Sequence, residues 1–575
     1  MAERFGCDGN GRLVIIGLDG VTFDLVRPWA EAGELPVLAR LMREGAQAPL
    51  RSVLHPYTAQ AWTSMITGQQ PGRHRVFDFW ERDFGTYGFR LLNASHRATP
   101  SLWRRLSDAG RRVVVINVPQ TYPPEPVAGL LISGRDTPGL DAAYTYPPEL
   151  KRELPKAAGG RRYVIVADDW LHMRRGRPDM ARQALLEEVE IRFAVARHLM
   201  ADHPWDLTMF VVGATDGAAH FFWKYHDPDH ILYDPADALR YGDTILEVYR
   251  RCDAEIGRLL ADLPPNTTVL IVSDHGNGPV GDRAVHLNLW LEREGLLRFA
   301  AAGERSLGRQ ARAAAVSGLQ RLKKALYARL PFQEIARLRR LFPDQFRRRL
   351  GSELFFPGID WGHTRAFSEE LRGNIWINLR GRDPQGIVEP GAEYEALRET
   401  IIARLPSLRD PVSSERLIHR VWRREELYSG PYVERLPDLI VEGIYPDLFR
   451  PRGGYRGHPV HRLTPQEAAA MKTSGGHRLH GLLIAWGPAV QAGATLPEAE
   501  ITDIAPTALY LLGQPVPQDM DGRVLTELLA PDVVAARPVR FATTGSAPTA
   551  AEELTYTQEE ETLIGERLEG MGYLG

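Results

Sequence analysis

Cysteine is nearly absent from this chain of 575 residues; Cys7 and Cys252 are the only two. That excludes a disulfide scaffold and a cysteine-rich metal site. No stretch approaches the roughly 18 consecutive apolar residues that a membrane span needs. The opening segment MAERFGCDGNGR is polar and carries no apolar signal core. Cytoplasmic residence is therefore expected. Neither sign of charge dominates. The 70 Lys and Arg against 73 Asp and Glu leave a net charge of −3, which gives no general case for nucleic-acid binding. Internal repeats are also lacking.

What is present belongs to a globular α/β protein. Apolar runs at 13–18, 113–118, 130–133, 162–167, 207–212 and 268–272 read as strands. Helical spacing occupies 35–44, 58–66, 182–200 and 241–260 between them. Such alternation predicts a mostly parallel central sheet flanked by helices. Later, 374–379, 437–442 and 482–485 read as strands. The segments 393–405, 503–512, 522–529 and 557–568 read as helices.

The segment 304–350 stands apart, with eleven Arg and two Lys against three acids and leucines at helical spacing. It reads as a basic helical insertion whose leucine face packs on the body. Peripheral contact with an anionic membrane is the sharper alternative. The expected organisation is a core in two parts, 1–300 and 356–535, split by the insertion at 301–355. A smaller cap region lies at 380–470, and a linker with a charged helix at 536–575.

Chemistry concentrates at strand ends. The run TVLIV at 268–272 has no polar face except its first threonine, and it stops at Ser273-Asp274-His275-Gly276. Asp19 follows 13–18, and Asp216 follows 207–212. Three aspartates at the carboxyl edge of one sheet lie where open α/β sheets place ligands. Crowded together they repel, and they need cations to coexist ionised. His275 adjoins Asp274, and His220 lies one helical turn after Asp216. Mixed Asp and His donors suit zinc or manganese better than magnesium or calcium. Thr58, Thr63 and Ser64 offer hydroxyls near a helix start, where backbone N–H groups and the helix dipole favour phosphate. Position alone does not choose among them.

An ordered set of motifs covers most of the chain outside the insertion: GLDG (17–20), HPYTAQAWTSMITGQQPGRH (55–74), NVPQTYPP (117–124), TDGAAH (215–220), SDHG (273–276), GGHRLHG (475–481) and DIAPTALYLLGQPVPQDMDG (503–522). In this the chain resembles the type I phosphodiesterase/nucleotide pyrophosphatase family of the alkaline phosphatase superfamily, in its bacterial and archaeal cytosolic-type branch. The resemblance implies an alkaline-phosphatase-like fold and two divalent ions, zinc or alternatively manganese. Asp19, Asp274 and His275 would hold one ion; Asp216, His220 and His477 would hold the other. His480 is the alternative to His477. The family's nucleophile lies nine residues before a Thr-Gly pair, here Thr67-Gly68, which points to Thr58.

The implied reaction is phosphodiester hydrolysis through a phospho-threonine. Arg75, Phe79 and Asn117 are the substrate-contact candidates. Arg75 replaces a glycine and Phe79 the phosphate-touching asparagine of the nucleotide pyrophosphatases, so the expected phosphate ester need not be a nucleotide. Thr58-Ala59-Gln60-Ala61-Trp62 does not fit the Cys/Ser-x-Pro-x-Arg motif of sulfatases. Phosphomonoester or phosphonate hydrolysis and head-group transfer are alternatives within the superfamily. A metal-binding assembly or membrane-recruitment protein is the alternative of another class.

Overall fold

The computed structural model describes residues 11–300, 356, 358–370, 372–445, 448–451, 455–543 and 553–572. The basic insertion, and with it the boundary expected at 301–355, falls outside the described residues.

Nine strands form the main sheet: β1 (Arg12–Leu18), β2 (Ala46–Arg51), β3 (Val113–Val118), β4 (Gly129–Ser133), β5 (Thr145–Tyr146), β6 (Leu207–Val212), β7 (Thr267–Val272), β8 (His480–Trp486) and β9 (Ala499–Glu500). Their spatial order is β9-β2-β8-β7-β1-β6-β3-β4-β5. The four central strands β7, β1, β6 and β3 are mutually parallel. Only β8 and β5 run against their neighbours.

The apolar runs are explained by burial on both faces. Val14, Ile16, Phe210, Val212, Val269 and Ile271 enter one core layer. Leu13, Ile15, Met209, Val211, Leu270 and Val272 enter the other. Helix α1 (Thr58–Thr67) covers the second layer through Trp62 and Met65. On the first layer lie α2 (Pro178–Asp202), α3 (Ala214–His226), α4 (Thr244–Asp262) and the tail helix α5 (Gln558–Gly570). The cap is a four-stranded antiparallel sheet with its own core, ordered Ala366–Ser368, Asn374–Ile377, Leu439–Gly443, Ile418–Arg423. Among the described residues no helix is long and apolar enough to cross a membrane.

Two sequence expectations fail. Residues 162–167 are not a strand. Tyr163, Ile165 and Ala167 are buried as expected, but the backbone is satisfied by a helix instead of a sheet. Arg192 of α2 donates Nη2 to the carbonyls of Val164 (3.0 Å) and Ile165 (3.2 Å). Glu188 of the same helix accepts the amide of Ala167. Residues 522–529 form only a short turn at Thr526–Leu528, because Asp503 and Thr507 take the amides of Arg523 and Leu525.

Arg192→Met should destabilise the protein by about 3–5 kcal/mol, the cost of stranding a buried charge, here Glu188. Urea denaturation measures it, and a change below about 1 kcal/mol would show that the guanidinium is dispensable.

Candidate active site

The carboxyl ends of β1, β6 and β7 stand side by side, and cross-bonds lock them together. Thr215 Oγ1 donates to the Asp19 carbonyl at 2.6 Å. Val21 N donates to Ser273 Oγ at 2.8 Å. Gly20 sits at φ +71, and a Cβ there would lie 2.1 Å from Asn277 Nδ2. The GLDG turn therefore needs glycine at that position. The result places Asp19, Asp216, Asp274 and His275 in one buried cluster. His220 joins from the next turn of α3. His477 arrives on the short strand Gly475–Arg478, which pairs antiparallel with Gly276–Pro279 and sets His477 opposite Asn277. Gly475 permits this approach, since a Cβ there would meet the Ala219 carbonyl at 2.2 Å.

Two ligand-like groups result. In the first, His275 Nε2 lies 3.5 Å from Asp19 Oδ1 and 3.4 Å from Asp274 Oδ2. All three atoms are buried and make no hydrogen bond. In the second, Asp216 Oδ1 lies 3.3 Å from His220 Nε2 and 3.7 Å from His477 Nε2.

Each of the three imidazoles turns Nδ1 to a backbone carbonyl: His220 to Gly475 (2.9 Å), His275 to Gly276 (3.0 Å) and His477 to Pro56 (2.7 Å). Those bonds fix the tautomers and aim every Nε2 inward, as the outer hydrogen bonds of metal-bound histidines do. His220 Nε2 and His477 Nε2 then face each other at 3.1 Å. Only a positive charge between them, a shared proton or a metal ion, satisfies both. The donor set fits divalent ions.

The electrostatics agree. Burial, then Asp274, push Asp19 well above the ordinary carboxylate range against the pull of Arg135. Asp274 is pushed up to about 7, by burial first and Asp216 second. Burial also opposes ionisation of Asp216, but His220, His477 and His275 outweigh it and hold that carboxyl well below the ordinary range. Burial likewise lowers His275 and His477. It opposes a charge on His220 too, yet Asp216 raises that imidazole.

A metal ion bound there would displace the proton on Asp274, so its affinity should fall as the pH is lowered. A single proton at about 7 predicts about tenfold weaker binding at pH 6 than at pH 8. Competition against a metallochromic chelator at both pH values measures this, and a flat profile would contradict it.

The family model for type I phosphodiesterase/nucleotide pyrophosphatase matches residues 13–444. The chain belongs to that family. Membership makes it a hydrolase acting on phosphoric ester bonds, in a family whose members are metal-dependent. Solved structures of similar architecture include human ectonucleotide pyrophosphatase/phosphodiesterase 5, at 12% identity and TM-score 0.47, covering 90% of this chain and 99% of that one. Its murine counterpart aligns at 11% identity and TM-score 0.46, covering 90% and 100%. Phosphonoacetate hydrolase from Sinorhizobium meliloti 1021, in complex with phosphonoformate, aligns at 14% and 0.49, covering 88% and 95%. No functionally curated protein matches the chain.

Within this phosphodiesterase family member, Thr58 is buried as the first residue of α1, two residues after the Pro56 carbonyl that binds His477. The competing hydroxyls are engaged elsewhere: Thr63 Oγ1 donates to the Ala59 carbonyl, and Ser64 Oγ pairs with His74 Nε2 at 2.9 Å. Asn117 lines a side cavity with Arg135, Asp216 and His220. Its Oδ1 is buried without a hydrogen bond. Arg75 lies among carboxylates, forked onto Glu81 at 3.0 and 3.1 Å and paired with Glu553. Phe79 belongs to the core layer that α2 and α3 cover. His480 stands apart from the cluster, about half exposed and paired with Glu498 at 2.8 Å.

Arg135 was not among the sequence candidates, yet its guanidinium reaches Asp19 Oδ2 at 2.8 Å. Its signal was available: it lies just past the end of β4, on the edge that carries the aspartates.

Proposed function

We propose that the chain is a phosphodiesterase that works through Thr58 and a pair of divalent ions, zinc or manganese. The supporting observation is the convergence of Asp19 Oδ1, Asp274 Oδ2 and His275 Nε2, buried and without hydrogen bonds, beside the facing imidazoles of His220 and His477. Asp19, Asp274 and His275 would hold one ion, and Asp216, His220 and His477 the other. Bound there, the ions supply Lewis acidity and neutralise charge on the transferring phosphoryl group.

Thr58 supplies the nucleophile. Its Oγ1 gives up its proton and bonds to phosphorus as the bond from phosphorus to the leaving oxygen breaks. The leaving alkoxide takes a proton and departs as an alcohol. Water then attacks the phospho-threonine, which releases the phosphomonoester and restores the hydroxyl. The first turn of α1 has no side-chain cap, and amides in such a turn favour phosphate oxygens. Asn117 is the nearby candidate for a polar substrate contact. Cytoplasmic residence belongs to the same reading, supported by the sparse cysteine content.

The test is turnover of bis-p-nitrophenyl phosphate against p-nitrophenyl phosphate with zinc or manganese. A diesterase favours the first. A preference for the monoester would move the assignment to a phosphomonoesterase.

A further inference from the structure

We propose that Arg135, held in place by the C-terminal helix, is a positioning residue that joins the two halves of the cation site. The proposal rests on the reading of that site as a metal centre.

Arg135 is buried. Its Nη2 lies 2.8 Å from Asp19 Oδ2, and its Nη1 lies 3.9 Å from Asp216 Oδ2. The other oxygen of each aspartate, Oδ1, faces the imidazoles. One guanidinium thus addresses the outer oxygen of one aspartate from each half and turns both inner oxygens toward the ions. A rigid planar fork suits a two-carboxylate bridge; a lysine ammonium, a single point of charge, does not.

The loop that carries Arg135 is fixed from a distant part of the chain. Arg567 of α5 donates Nη1 to the carbonyls of Arg135 (2.8 Å) and Thr137 (2.7 Å), and Nη2 to that of Pro138 (3.1 Å). Tyr556 donates its hydroxyl to the Asp136 carbonyl at 2.9 Å. The Asp136 carboxylate takes the amides of Gln120 (3.1 Å) and Tyr122 (2.7 Å), which ties the same loop to the turn after Asn117.

The end of α5 also reaches the other half of the site. Glu569 pairs with Lys472 at 3.2 Å, two residues before Ser474, whose amide binds the His220 carbonyl at 2.6 Å. Met571 lines the side cavity together with Asn117, Arg135, Asp216 and His220. A helix that served stability alone would need only its apolar face, Ile564 and Leu568. Arg567 instead spends its donors on the loop behind Arg135.

The experiment uses full-length protein carrying Arg135→Gln, Arg135→Lys, Arg567→Gln, the Arg135→Gln/Arg567→Gln double substitution, and Tyr556→Phe as a milder disturbance of the same loop. Zinc affinity is read by chelator competition, with circular dichroism as the check on folding. Arg135→Gln should weaken zinc binding by about 10- to 100-fold, the usual cost of removing a group that orients a metal ligand. Arg135→Lys should recover only part of that loss. Arg567→Gln and Tyr556→Phe should weaken binding less. The double substitution should be no weaker than Arg135→Gln alone, because Arg567 acts through Arg135.

Unchanged or tighter zinc binding by Arg135→Gln would overturn the proposal. So would additive losses in the double substitution. Should Arg567→Gln fail to fold, Tyr556→Phe replaces it in the same cycle. A wild-type protein that binds no zinc would overturn the metal-centre reading itself; wild-type binding with indifferent variants would overturn this inference alone.

Discussion

Thr58→Ala should lower turnover of a phosphodiester by about 10⁴- to 10⁶-fold, the scale of losing a covalent nucleophile, while metal content stays at the wild-type level. Two features make the effect specific. Thr58 opens α1 beside the Pro56 carbonyl that fixes His477, whereas Thr63 and Ser64 point their hydroxyls at Ala59 and His74. Alanine at position 63 or 64 should therefore keep turnover within about tenfold, since neither touches the reacting atoms. The alanine methyl at 58 keeps the helix start, which had no side-chain cap to lose. Steady-state kinetics with metal analysis on the same preparations separates these outcomes. Turnover that survives in Thr58→Ala would assign the attack to another group, such as water.

His477→Ala should be nearly as damaging for a different reason. Its Nε2 lies 3.1 Å from His220 Nε2 and 3.7 Å from Asp216 Oδ1, and its ring stacks on His275 at 3.6 Å. Removing it would take one donor from the proposed second ion and leave His220 facing a gap. The metal content should fall from two ions toward one. Turnover should drop by about 10³-fold, equivalent to several kcal/mol of lost charge stabilisation. His480→Ala is the matched control. That side chain is half exposed and pairs only with Glu498. A surface pair of this kind contributes about 1 kcal/mol or less, so metal content and turnover should stay at wild-type values. If His480→Ala lost the second ion and His477→Ala did not, the ligand set would be misassigned.

The sequence made the site legible wherever one strand carried its own signal. TVLIV at 268–272 had to be buried on both faces, and the polar Asp274 and His275 at its end had to lie at the sheet edge. The same reasoning located Asp19 and Asp216, and helical spacing located His220. His477 carries no such signal. It enters on the four-residue strand Gly475–Arg478, whose antiparallel partner, Gly276–Pro279, has no strand propensity of its own and lies far away in the chain; only the motif resemblance pointed to it.

Misses followed from tertiary contacts. AQAPLR at 46–51 lies outside every strand read from the sequence, yet it is β2, because β8 supplies the pairing and Ala46, Ala48 and Leu50 fill the core. RYVIVA at 162–167 looked like a strand, yet Arg192 and Glu188 capture its backbone before any strand can. Arg135 was overlooked because a lone arginine after a strand normally reads as surface. Only the fold reveals that both aspartates share it.

A crystal structure of the full chain with zinc and vanadate tests the central claim most directly. Vanadate should be bonded to Thr58 Oγ1. Anomalous scattering should show one ion on Asp19, Asp274 and His275 and a second on Asp216, His220 and His477. Vanadate bound away from Thr58, or a single ion serving the whole cluster, would contradict a two-metal, threonine-based phosphodiesterase.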